Sequence, residues 1–246
     1  MKSRNRGFGL IELLISIVIG LIVVGGITSL VVATLRANTE NLQMTRLTQD
    51  MRSVMQLVTR DLRRAGYDQQ AIRDFGTGSQ GRNEFAEVRA FDASGGALLF
   101  EDGIDPANPA TCVTYQWDDN GDGDAQANEA KGIRLNETDA SLEMKTAAGS
   151  IGNSDGDPEN EILDTDCDAG TWETLTDTGS VQIDEFAITT VDGLHSPIVW
   201  QDPSTKTMPK LAVRELVITL TATVKNDQSI QRSMRETVRV RNDYLY

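Results

Sequence analysis

The 246-residue chain has one histidine, two cysteines and six prolines, and no proline precedes Pro106. The histidine, His195, stands beside Pro197 with no serine or cysteine motif around it, so nucleophilic catalysis lacks a recognisable set of residues. The cysteines, Cys112 and Cys167, form no CxxC and give little support to a redox or zinc centre. They are either free buried thiols or, if the domain lies outside the cytoplasm, a pair closing a loop worth about 4 kcal/mol in the chain-entropy account. A phosphate-cradling loop is missing too, because Gly76, Gly78 and Gly81 match neither the P-loop nor, without a preceding strand, the dinucleotide fingerprint. Bases are outnumbered by acids, 23 to 37, for a formal charge of −14. The imbalance is local: Glu101 to Asp177 holds 20 acids and 3 bases (Lys131, Arg134 and Lys145), a net of −17. Such a block is either a solvated surface or a site for cations or a basic partner, and it repels phosphate backbones, so no nucleic acid is expected. These absences argue against an enzyme.

What is present begins at the N-terminus. Lys2, Arg4 and Arg6 precede an apolar run from Phe8 to Val32 that Glu12 alone interrupts. Basic residues hold that end in the cytoplasm and about 20 apolar residues cross a bilayer as a helix, which puts the bulk of the chain outside. No Ala-x-Ala follows, as a cleavable secretory signal would require. Instead Met44, Leu47, Met51, Val54, Val58, Leu62 and Ala65 recur at helical spacing, with Arg46, Gln49, Arg52, Gln56 and Arg60 between them. With no proline to break it, one helix is predicted from Phe8 to Ala65, about 90 Å long if continuous. Gly20, Gly25 and Gly26 are its weak points, and Gly66 is the expected C-cap after a last turn carrying Arg60, Arg63 and Arg64. A lone carboxylate such as Glu12 in a membrane helix is costly and needs a partner.

Alternating or β-branched runs predict strands over 97–101, 111–117, 132–136, 181–191, 211–224 and 229–241. The last two form a hairpin across Lys225-Asn226-Asp227-Gln228, with Leu216, Ile218 and Leu220 facing the same way as Val238 and Val240. Laid on the lower half of the helix, such a sheet buries both apolar faces and gives an α+β, ladle-like architecture. Trp117, Trp172 and Trp200 fit a core better than a partner surface.

Within the acidic block, Asp118 to Glu129 satisfies the twelve-residue calcium-loop pattern. Hard Ca²⁺ takes oxygens, here supplied by Asp118, Asn120, Asp122, the Asp124 carbonyl, Gln126 (through water) and a bidentate Glu129, with Gly123 at the sharp turn. The flanks read as strands, which favours a structural clip over a helix-opening switch; the alternative is a solvated acidic turn. Without a cation these carboxylates are expected only to repel one another. The later acids, Asp155, Asp157, Glu159, Glu161, Asp164, Asp166 and Asp168, lack the glycine and the closing glutamate and read as an acidic loop.

The segment Arg6-Gly7-Phe8-Gly9-Leu10-Ile11-Glu12 resembles the processing site of type IV prepilins. The resemblance implies that a prepilin peptidase cuts after Gly7, that Phe8 becomes the N-methylated first residue, and that Glu12 meets the new N-terminal amine of a neighbouring subunit. Residues 1–7 are then the leader, 8–36 the membrane and filament-core half of the helix, 37–67 its amphipathic half, and 68–246 a β-rich domain with an acidic insertion at 101–177. The stretch Arg60-Asp61-Leu62-Arg63-Arg64-Ala65-Gly66-Tyr67 and the ending Glu236-Thr237-Val238-Arg239-Val240-Arg241-Asn242 are similar to the PilW family of minor pilins. That likeness implies a subunit held in the inner membrane with its domain in the periplasm, then passed to an extracellular pilus. There it would help prime assembly with other minor and major pilins and sit in a tip complex under a large adhesin. A J-type pseudopilin of type II secretion shares the plan, and a filament-borne adhesin or ligand-binding module is a third possibility.

Overall fold

The structure, a computed structural model, describes residues 9–69, 85, 88–98, 104–123, 125–151, 162–164, 166–191, 198–199, 210–212, 215–240 and 244–245. It comprises one long N-terminal helix and antiparallel β-sheets, an α+β fold. The chain divides into two compact units, residues 1–46 and 47–246.

The first unit contains the opening part of α1 (Leu10–Arg64), a helix of 55 residues with no break at Gly20, Gly25 or Gly26. Every large apolar side chain from Leu10 to Leu35 is exposed, and the helix is long and apolar enough to cross a membrane. Three of its hydroxyls bond back along the helix: Ser16, Thr28 and Thr34 donate to the carbonyls of Glu12, Val24 and Leu30 at 2.7, 2.8 and 2.9 Å. Lipid offers no hydrogen-bond partners, so such bonding back along the helix suits an apolar solvent.

In the second unit α1 turns amphipathic. Leu47, Met51, Val54, Met55, Val58 and Leu62 are buried at helical spacing, while Arg52, Gln56, Arg60, Arg63 and Arg64 are exposed. Each fully buried side chain of this kind contributes on the order of 2 kcal/mol relative to exposure. The helix ends as expected at Gly66, whose φ of 77° is left-handed backbone that costs glycine nothing. Its N–H is not returned to the helix but donated to Gln116 O at 2.8 Å, and Asp118 N donates to Tyr67 O at 2.8 Å, so the cap is stitched into the sheet.

The strands are β1 (Val88–Phe91), β2 (Ala97–Leu98), β3 (Cys112–Gln116), β4 (Ala130–Asn136), β5 (Ser141–Ala147), β6 (Gly149–Ile151), β7 (Ile162–Asp164), β8 (Thr171–Thr174), β9 (Val181–Thr190), β10 (Ile198–Val199), β11 (Lys210–Ala212), β12 (Glu215–Val224), β13 (Asp227–Arg239) and β14 (Tyr244–Leu245). Among the described residues they form sheets ordered β2-β1-β3-β4-β5-β8, β13-β12-β9, β10-β11-β14 and β6-β7, all antiparallel. The first two are joined by a bridge between Ala110 and Ile188 and by the Ile183 N–H donating to Ala140 O at 2.8 Å.

The β12–β13 hairpin follows the expected alternation, with Leu216 opposite Val238 and both buried. Its turn is shorter than the four residues expected, because β13 already begins at Asp227 and leaves Lys225-Asn226 between the strands. β1, β5, β6, β7, β8, β10 and β14 lie where no strand is expected from the sequence.

Candidate functional site

At the N-terminal end, Glu12 sits in the first turn of α1, its N–H donated to Gly9 O at 3.0 Å and its carbonyl taken by Ser16. Leu10, Ile11, Leu13 and Leu14 around it are exposed apolar side chains. An ionised carboxylate in such surroundings is costly without a counter-charge brought by another group. Gly7 and Phe8, the expected processing residues, lie outside the described residues.

The acidic loop is built directly onto the helix cap. Asp118 and Glu129 are both buried. Asp118 accepts Gly121 N at 2.6 Å and, across 49 residues of sequence, Gln69 N at 3.2 Å. Glu129 Oε1 accepts Asp119 N at 2.8 Å and Asn120 N at 3.4 Å, and its Oε2 accepts Gln126 N at 3.0 Å. These carboxylates therefore do not merely repel one another when no cation is bound: backbone N–H donors hold each in place and make Glu129 the buttress that closes the loop. Asp122 Oδ2 accepts both the Asn120 amide at 2.8 Å and the Gln126 amide at 2.7 Å. Gly123 has the positive φ, 82°, that its place in the pattern requires. Asp124 lies outside the described residues, and among those described no three His, Cys, Asp or Glu side chains converge in a way that would hold a metal ion. Beside the loop, Arg64 reaches Asp119 at 3.7 Å and lies 4.8 Å over the Trp117 ring, whose N–H donates to Asp119 at 3.3 Å. Next to Trp117, the fully buried Tyr115 has its phenol pushed well above the ordinary range by burial and then by the nearby Asp61, so it stays neutral.

Cys112 and Cys167 are bonded, with Cα atoms 6.4 Å apart and a sequence separation of 55. The bridge packs against Phe91 and the half-buried Trp172. Around it two of the three bases of the acidic block, Arg134 and Lys145, gather in a way the sequence does not announce, while Lys131 lies over the Trp117 ring. Arg134 donates to Cys167 O at 2.7 Å and pairs with Glu143 at 2.7 Å, and the fully buried Lys145 donates to Asp166 O at 2.8 Å. Both cations lie against Trp172, whose own N–H donates to Ala169 O at 3.1 Å. Arg89 adds an ion pair to Asp166 at 3.3 Å. The segment 166–169 is thus held by a covalent bond and by donors aimed at its carbonyls. Its only sequence signal is that Glu143 and Lys145 alternate with Leu142 and Met144 along β5. His195, Trp200 and the acids from Asp155 to Glu161 lie outside the described residues.

An exposed apolar helix opening on Glu12, continued into a disulfide-bonded antiparallel domain, defines a type IV pilin-like protein. The prokaryotic N-terminal methylation motif matches residues 2–28, the span that holds Gly7, Phe8 and Glu12. The family of prepilin peptidase-dependent protein B matches residues 40–240, and the chain belongs to that family. It is accordingly a prepilin peptidase substrate anchored by its apolar helix and assembled with other pilins. No curated protein and no solved structure matches the chain.

Proposed function

We propose that this protein is a minor pilin of the PilW kind, a structural subunit and not an enzyme. It is processed after Gly7, methylated at Phe8 and held in the inner membrane with its domain in the periplasm. It then helps to prime a type IV pilus as part of the tip complex beneath a large adhesin. The observation that carries the reading is the single unbroken helix that begins within the methylation motif and ends, buried on one face, in the domain. Deletion of the gene tests it: surface pili are lost and return on complementation, while export of folded type II substrates is unaffected. Loss of that export with pili intact assigns the chain to the pseudopilins.

The acidic loop is proposed to take one Ca²⁺ as a structural clip through Asp118, Asn120, Asp122, the Asp124 carbonyl, Gln126 and Glu129. Two features support the fit: the donors are hard oxygens, and the amide groups of Asn120 and Gln126 already crowd Asp122, where turning either amide over presents its oxygen. Calorimetry with CaCl₂ on wild type and Asp122→Ala tests it, and wild-type heat that vanishes in the variant is the supporting result.

A further inference from the structure

On a chain of net charge −14, the exposed face of the last turns of α1 is basic. Arg52, Gln56, Arg60, Arg63 and Arg64 stand exposed there, and all but Arg52 line, with Thr59, one shallow open groove. Arg60 is held by Asp61 at 3.1 Å and Arg64 by Asp119 and the Trp117 ring, which fixes their side chains beside the groove. Arg52 and Arg63 make no ion pair among the described residues. Cap chemistry accounts for cations in the final turn of a helix, but not for Arg52, three turns earlier on the same face.

We infer that this ridge is the docking face for a carboxylate-bearing surface of a neighbouring pilin subunit. The inference rests on the pilin reading above. Guanidinium forks bind carboxylates bidentately, and arginine is favoured at protein interfaces. Because the Debye length in physiological salt is about 8 Å, the match is decided at contact distance and not by net charge. The chain itself shows the complementary chemistry in its −17 block from Glu101 to Asp177.

The test places a photo-crosslinking amino acid at Gln56, the exposed uncharged side chain in the groove, in the full chain expressed in piliated cells. The expected adduct is a second pilin chain joined at a peptide rich in Asp and Glu. Arg52→Glu/Arg63→Glu should reduce the adduct at least tenfold, while Arg52→Lys/Arg63→Lys keeps it within about threefold, with wild-type melting in both. Adducts only with lipid, DNA or nothing, or adducts indifferent to charge reversal, overturn the inference. Leader removal and filament content are read in the same cells: a chain left unprocessed sinks the pilin reading and this inference with it, whereas a processed, filament-borne chain without the adduct sinks this inference alone.

Discussion

Two residues in tight turns carry free energy that substitution can read. Ala140 has φ of 49°, left-handed backbone in the turn between β4 and β5, and its carbonyl is held there by the Ile183 N–H at 2.8 Å. Relief of about 1–2 kcal/mol of left-handed strain in Ala140→Gly is offset by about 0.4–1 kcal/mol of added unfolded-chain entropy. The variant should therefore be more stable by roughly 0.5 kcal/mol, read as a higher denaturation midpoint at unchanged slope, and a lower midpoint would contradict the argument. Asp92 is held near a pKa of about 2, against an ordinary 3.8, first by the Ser94 hydroxyl and the Gly96 N–H and further by the Asn108 amide. Its folded state then binds fewer protons than its unfolded state between those values, so its contribution is complete above pH 3.8 and disappears as pH falls to about 2. Melting of wild type and Asp92→Asn across pH 2–6 should show a gap that is constant above pH 4 and closes toward pH 2. A gap that persists at the acid end would show that the aspartate acts through something other than its charge.

Among elements, the helix and the last hairpin are legible in the sequence because each repeats one requirement: apolar spacing from Leu47 to Leu62, and the alternation of Leu216, Ile218 and Leu220. β5 is not legible, since Glu143 and Lys145 occupy buried positions of that strand and look like loop residues until Arg134 and the Asp166 carbonyl arrive from elsewhere in the chain. The loop pattern could be read, but the part played by Glu129 could not, because its donors Asp119, Asn120 and Gln126 meet it only once the loop closes. Without calcium, Glu129→Gln should thus cost about 1–3 kcal/mol, because the buried side chain loses the charge that accepts three part-buried N–H bonds, whereas Asp122→Ala, at an exposed side chain, should cost under about 0.5 kcal/mol. Chemical denaturation in chelator compares them, and equal stabilities would return Glu129 to the status of a solvated acid. For the disulfide, Cys112→Ala/Cys167→Ala should lower stability by about 2–4 kcal/mol and make the segment 166–169 the first site of limited proteolysis, because the bridge holds Cys167 while Arg134 and Lys145 hold the carbonyls of Cys167 and Asp166. Uniform cleavage along the domain would mean that the bridge stabilises without anchoring that segment.

For the whole molecule, the decisive tension is between the apolar surface of residues 10–35 and the one charge among them. Removing that charge with Glu12→Leu should make membrane insertion easier by up to about 3 kcal/mol, since a buried carboxylate is costly without a partner. If Glu12 exists to meet the amine uncovered by cleavage after Gly7, the same variant should enter filaments poorly despite being inserted, folded and processed. Intact mass in wild type and variant should show loss of Met1 to Gly7 and one methyl on Phe8, and sheared filaments should contain the wild-type chain and at least tenfold less of the variant. Equal filament content in the two would mean that the glutamate serves no intersubunit pairing. Failure of the variant to lose its leader would instead place Glu12 in recognition by the peptidase, and the two outcomes are told apart by one mass measurement, because pairing acts only after the amine exists.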